Sequence, residues 1–141
     1  MEKIDWQDSW RVGIKKIDLQ HRAFVDIYNT FVEACEEGES HDLLYPTLKN
    51  MLDYLKNHFS DEESWMIKVG YNDFGSHLKE HRQFTEQTNA FVSRYFEGDD
   101  SITDELCEFL RNWFVHHVTG TDMKYAPIFK DWLARHPDDT L

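Results

Sequence analysis

Helix breakers are scarce in this chain. Three prolines and six glycines are spread over 141 residues, which argues against a loop-rich or low-complexity architecture and leaves room for long helices. Basic residues are scarce too. Fifteen Lys and Arg stand against 27 Asp and Glu, for a formal net charge of −12. Without a basic patch to neutralise phosphates, neither nucleic acid nor an anionic membrane is expected as a partner. No run of apolar residues approaches the length of a membrane span. The two cysteines, Cys35 and Cys107, lack a CxxC spacing and read as two free, buried thiols. Residues 1–11 carry acidic side chains and no apolar stretch of leader type, so a cytoplasmic location is the default expectation.

What is present is core-forming material. Hydrophobic residues make up 40% of the chain and aromatics 15%, enough for one domain over residues 1–141. Four segments carry apolar residues at alternating steps of four and three, the repeat of a helix bundle. The first covers 17–37, with the seam Ile17, His21, Phe24, Tyr28, Phe31 and Cys35. The second covers 42–69, with Leu44, Leu48, Met51, Leu55, His58, Glu62 and Trp65. The third covers 74–97, with Phe74, His77, His81, Phe84, Thr88, Phe91 and Tyr95. The fourth covers 102–125, with Ile102, Leu106, Phe109, Trp113 and His117. Turn signals separate them, including Gly38 and Gly70, and Ser101 or Asp100 is placed to cap the fourth. Pro127 is expected to end or kink that helix, leaving an aromatic tail over 126–141; residues 1–16 are expected to lie as an arm across the bundle. The expected fold is all-α, an antiparallel up-down-up-down four-helix bundle, because short connections make consecutive helices antiparallel neighbours.

The seams should be apolar, yet ligand-type residues interrupt each of them. These are His21; His58 and Glu62; His77 and His81; and His117 with Asp122 five residues on. Taken singly, each has an ordinary explanation. A lone seam histidine is more often a hydrogen-bonded core residue, and an i, i+4 pair is often a helix-face contact. Together they are different, since unpartnered burial of so many polar groups would cost several kcal/mol for each unmet group. Coordination to metal supplies the partners. Seven ligands exceed the four that zinc takes, five histidines disfavour calcium and magnesium, and imidazole with carboxylate suits iron. If Glu62 and Asp122 both bridge two irons beside a solvent-derived oxygen, five histidines divide three and two. One iron is then six-coordinate and the other keeps an open position. His41, His116 and His136 fall off the seams and read as solvent-facing.

In these elements the chain resembles the hemerythrin family and, in length, its single-domain bacteriohemerythrins. The matching runs are Ile17, Asp18, Leu19, Gln20, His21; His58 to Glu62; His77 to His81; and His117 to Asp122. The resemblance implies two iron ions in a di-iron centre with an oxo or hydroxo bridge. It implies His77, His81 and His117 on the six-coordinate iron and His21 and His58 on the iron with the open site. It implies reversible dioxygen binding, for transport, storage or delivery, by a protein that is not an enzyme. A monomer is expected, and an oxygen-consuming enzyme would be the recipient in a delivery role. Reversibility requires a dry pocket, for which Phe24, Phe59, Trp113, Phe114 and Val118 are the expected lining. Backbone carbonyls one turn back, or acidic side chains such as Asp18, are the candidates to orient the imidazoles. Other functions stay open from sequence: an oxygen, redox or nitric oxide sensor, iron storage, or a di-iron enzyme with weak peroxidase or nitric-oxide-reducing activity. The chain contains no Glu-x-x-His motif of the carboxylate-rich di-iron enzymes.

Overall fold

The periodic segments fold as helices in the computed structural model, which describes residues 2–99 and 101–139. The helices are α1 (Lys15–Glu36), α2 (Ser40–Val69), α3 (Phe74–Phe96), α4 (Thr103–Trp113) and α5 (Asp122–Arg135). A π-helical segment, Phe114–Thr121, joins α4 to α5 without a break, so α4, the π segment and α5 form one rod. Residues at both ends of the rods show the antiparallel order. Phe24 of α1 stacks on Phe114, and Cys35 at the end of α1 meets Cys107 near the start of α4. Tyr45 near the start of α2 stacks on Tyr95 near the end of α3. The fold is a four-helix bundle, as the seams predict.

The stops are where the breakers stand. Gly70 follows α2 with a φ of 69°, and Tyr71 N–H returns to the Met66 carbonyl at 2.9 Å, closing the helix end. The expected cap on α4 is not made. The Ser101 hydroxyl turns back to Asp99 instead, and Asp100 lies outside the described residues.

The fourth rod departs from expectation in length. Pro127 does not end it; helix continues to Arg135, so most of the expected tail is helical. The proline is exposed, whereas Tyr125, Ala126 and Phe129 on the other face are buried against Val12, Ile14, Ile17, Trp65 and Tyr71. An interior proline costs about 3 kcal/mol. Burying two aromatic side chains returns about 1.5–3 kcal/mol each, so packing outweighs the breaker.

The N-terminal segment is the expected arm. Ile4 exchanges two hydrogen bonds with the Asn29 side chain, at 2.8 and 2.9 Å, and Tyr28 donates to the Glu2 carbonyl at 3.0 Å. Trp10 packs edge-on against Phe114. Asp18 accepts the Val12 and Gly13 amides and so ties the arm to α1.

Two apolar clusters fill the bundle. One runs from Ile4 and Phe24 through Phe59, Phe84, Phe114 and Val118; the other holds Ile17, Trp65, Met66, Tyr125 and Phe129. Along each rod the switch between clusters falls on the intruding polar residues: His21 lies between Ile17 and Phe24, and Glu62 between Phe59 and Trp65. The polar side chains therefore form one layer across the bundle.

At Gly70 no heavy atom lies within 4 Å of an added Cβ, so Gly70→Ala carries only the backbone cost of a left-handed residue. A loss of about 1–2 kcal/mol in chemical denaturation is expected, with the α-helical circular dichroism spectrum unchanged.

Candidate metal site

All seven intruding residues are buried: His21, His58, Glu62, His77, His81, His117 and Asp122 each expose 1% or less. The helix period brings them together. His58 and Glu62, and His77 and His81, are each four apart and share a face. His117 and Asp122 are five apart, which on a regular α-helix would turn them roughly 140° from each other. The π segment removes that offset: Asp122 N–H bonds the His117 carbonyl, an i to i+5 link that widens the turn and returns Asp122 to the histidine's side. His41, His116 and His136 are exposed, as their positions off the seams imply.

The imidazoles divide between the two edges of the carboxylates. His77 and His81 Nε2 lie 2.7 and 2.9 Å from Glu62 Oε1, and His77 and His117 Nε2 lie 3.0 Å from Asp122 Oδ1. On the other edge, His58 Nε2 is 3.2 Å from Glu62 Oε2 and His21 Nε2 is 3.0 Å from Asp122 Oδ2. Two overlapping groups result, Glu62 with His77, His81 and His117, and Glu62 and Asp122 with His21 and His58. Each gathers its ligand atoms within 4.8 Å of one another and could hold a metal ion.

The donor atoms suit a cation better than one another. Nε2 of His21, His58 and His117 and both carboxylate oxygens of Asp122 are buried and make no hydrogen bond of acceptable geometry, although N–O separations are near 3 Å. Close but misaligned, these atoms aim at shared points between them. Nitrogen and oxygen donors in this mixture fit iron.

Outer partners set the direction of three rings. His58 Nδ1 donates to Gln20 Oε1 at 2.7 Å, and Gln20 in turn donates to Asp61 at 2.7 Å. His81 Nδ1 donates to Glu63 at 2.8 Å, and His117 Nδ1 to Glu80 at 3.1 Å, where Thr121 also donates at 3.0 Å. These bonds hold Nδ1 protonated and turn Nε2 inward. Asp18 is not among these partners; it is committed to the arm. Tyr125 donates to Glu62 Oε2 at 2.7 Å. Sequence reasoning passed over Gln20, Glu63, Glu80 and Tyr125. Gln20, Glu63 and Glu80 each adjoin a ligand in sequence and Tyr125 lies one turn from Asp122, positions that could have marked them.

The family described as "Hemerythrin HHE cation binding domain" matches residues 12–129. The chain belongs to the hemerythrin family. A bacteriohemerythrin of Pseudomonas paraeruginosa is 31% identical over 126 residues, covering 89% of this chain and 81% of that protein. A bacteriohemerythrin of Clostridium acetobutylicum is 27% identical, covering 85% and 96%. The crystal structure of a wild-type hemerythrin superposes with a TM-score of 0.79 at 25% identity, over 89% of this chain and 97% of that one.

Within this hemerythrin fold the apolar residues expected around the site all belong to or pack against the first cluster, on one side of the polar layer. Phe24, Phe114 and Val118 are fully buried, with Phe24 and Phe114 stacked. Phe59 stacks on His81 at 3.8 Å and Trp113 on His117 at 3.9 Å, so these two rings cover the three-histidine group. Phe59 also lies 5.8 Å from His58. The ring that stacks on His58 is Tyr54, at 4.8 Å, a residue the sequence did not single out.

Charge within the layer is balanced by proximity. Burial acts to lower the His21 and His77 imidazoles, but Asp122 and Glu62 outweigh it and lift both to about 9. Burial lowers His58 below its ordinary value. Burial would raise Glu62, yet His58, His117 and His21 hold it well below the usual carboxylate range. Imidazoles raised above their unfolded value stabilise the cation-free fold below about pH 6.5, and that contribution fades as pH rises through about 9. The same protons compete with metal. Cation uptake should therefore release protons, and apparent affinity should climb between pH 6.5 and about 9, as read by chelator competition and by calorimetry in buffers of different ionisation enthalpy. Gln20→Ala removes the partner of His58 Nδ1 and should weaken metal binding about 10–100-fold in the same competition assay.

Proposed function

We propose that this chain binds dioxygen reversibly at a di-iron centre, as a single-domain, non-enzymatic oxygen-binding protein used for transport, storage or delivery. One observation carries the reading: five buried imidazoles divide three and two over the opposite edges of two buried carboxylates. His77, His81 and His117 would hold one iron, His21 and His58 the other, and Glu62 and Asp122 would be shared. When bound, an iron pair would supply the two electrons that dioxygen takes up on binding. Membership of the hemerythrin family supports the same reading.

The chain's own residues have three tasks. Gln20, Glu63 and Glu80 orient imidazoles, and Tyr125 holds Glu62. Phe24, Phe114 and Val118 keep water from the layer, which protects a reduced site from irreversible oxidation. Tyr54, laid over His58, closes the two-histidine side. No described helix is long and apolar enough to cross a membrane.

The test is an optical spectrum of iron-quantified, anaerobically reduced protein, taken before oxygen, after oxygen and after its removal. About two irons per chain and a visible band that appears with oxygen and fades without it are expected. A direct passage to a stable ferric spectrum would overturn the carrier reading in favour of redox catalysis or sensing. Glu62→Ala and Asp122→Ala should each lower iron content below two per chain; full retention would remove the bridging role. Phe24→Ser should speed autoxidation several-fold in the same optical assay.

A further inference from the structure

We infer that Cys35 and Cys107 form a peroxide-oxidisable thiol pair that closes a disulfide between the first and fourth rods. In sequence these residues are 72 apart, and nothing in their spacing suggests a pair. In the fold, the last turn of α1 meets the second turn of α4 and their Sγ atoms are 3.8 Å apart. They are the only two cysteines of the chain, so no other internal partner competes. A disulfide needs about 2.0 Å between the sulfurs. The remaining gap is within reach of side-chain rotation and a small shift at the end of α1, where a helix frays most easily.

The two thiols are not equivalent, and this sets the order of events. Cys35 is partly exposed, whereas Cys107 is 2% exposed within the larger apolar cluster. Burial, with Cys35 beside it, pushes the Cys107 thiol up to about 12, so it stays protonated. Cys35 is thus the sulfur that peroxide reaches first. Its thiolate attacks one oxygen of hydrogen peroxide, the O–O bond breaks, and hydroxide leaves and takes up a proton as water; Cys35 becomes a sulfenic acid. Cys107 then attacks the Cys35 sulfur. The S–S bond forms, the S–O bond breaks, and the second oxygen leaves as water with the Cys107 proton. Two thiols are oxidised by two electrons, one peroxide is reduced to two waters, and no further reactant is needed.

The pair is separate from the histidine layer. Cys35 is fourteen residues beyond His21 and Cys107 ten residues before His117, distances of roughly 21 and 15 Å along the rods. A bond there fastens α1 to α4 without touching any candidate ligand. It cross-links the denatured chain across a long loop, which should raise the melting temperature by several degrees.

The experiment treats the purified, thiol-reduced protein with one to ten equivalents of hydrogen peroxide. Remaining thiols are alkylated under denaturing conditions, and peptides are mapped by mass spectrometry. The expected result is loss of both free thiols, a mass decrease of about 2 Da from two lost hydrogens, an intramolecular Cys35–Cys107 peptide, and reversal by dithiothreitol. Cys107→Ala should stop at a sulfenic acid on Cys35 that dimedone traps. In Cys35→Ser, Cys107 should react at least tenfold more slowly than Cys35 does in the unaltered chain. Both thiols still free after treatment, Cys35 carried on to sulfinic acid without a cross-link, or Cys107 reacting first would each overturn the inference. None of these readouts depends on iron, so they test it apart from the oxygen-binding proposal.

Discussion

The structure turns on two buried carboxylates. Glu62 and Asp122 are wholly removed from water, and what makes that tolerable is the ring of five imidazoles around them. Taking away one side of such an arrangement leaves an uncompensated charge, at a cost of about 3–5 kcal/mol. All four rods must therefore keep their register to within an ångström or so. α1 brings His21, α2 His58 and Glu62, α3 His77 and His81, and the fourth rod His117 and Asp122. The polar layer specifies how the bundle is aligned, while the apolar clusters on either side supply the driving force for its collapse.

The fourth rod shows what that alignment demands of the backbone. A regular helix would carry Asp122 away from His117, and the π segment spends ordinary α-helical geometry to bring it back. Beyond it, the aromatic face of α5 holds the rod together past Pro127, because Tyr125 and Phe129 are buried in the second cluster. Tyr125 serves both purposes. Its ring packs with Phe129 and its hydroxyl reaches Glu62, so the end of the rod and the polar layer stabilise each other.

The reach of the surrounding side chains explains why the site stays ordered. Gln20, Glu63 and Glu80 lie at the edge of the layer, partly exposed, and each meets water on one side and an imidazole on the other. They fix ring orientation without adding charge to the buried centre. Stacking of Tyr54, Phe59 and Trp113 on His58, His81 and His117 does the same for ring tilt.

The four helical rods and the seven inward polar residues were legible in the sequence, since both are written in local periodicity: a step of three or four residues puts side chains on one face wherever the chain finds itself. That five histidines would divide three and two followed from coordination arithmetic, whereas which of them share an edge of the carboxylates was legible only through resemblance to a family. The extension through Pro127 was not legible, because a breaker is overruled only by burial against residues distant in sequence, here Val12 and Trp65. Nor was the π segment, whose only trace is a five-residue step that could equally have been a surface aspartate. The partners of the imidazoles and the meeting of Cys35 with Cys107 belong to the same class. Periodicity says which face a residue occupies, but which neighbour it meets across the bundle depends on the relative height and rotation of two helices, and tertiary packing alone decides those.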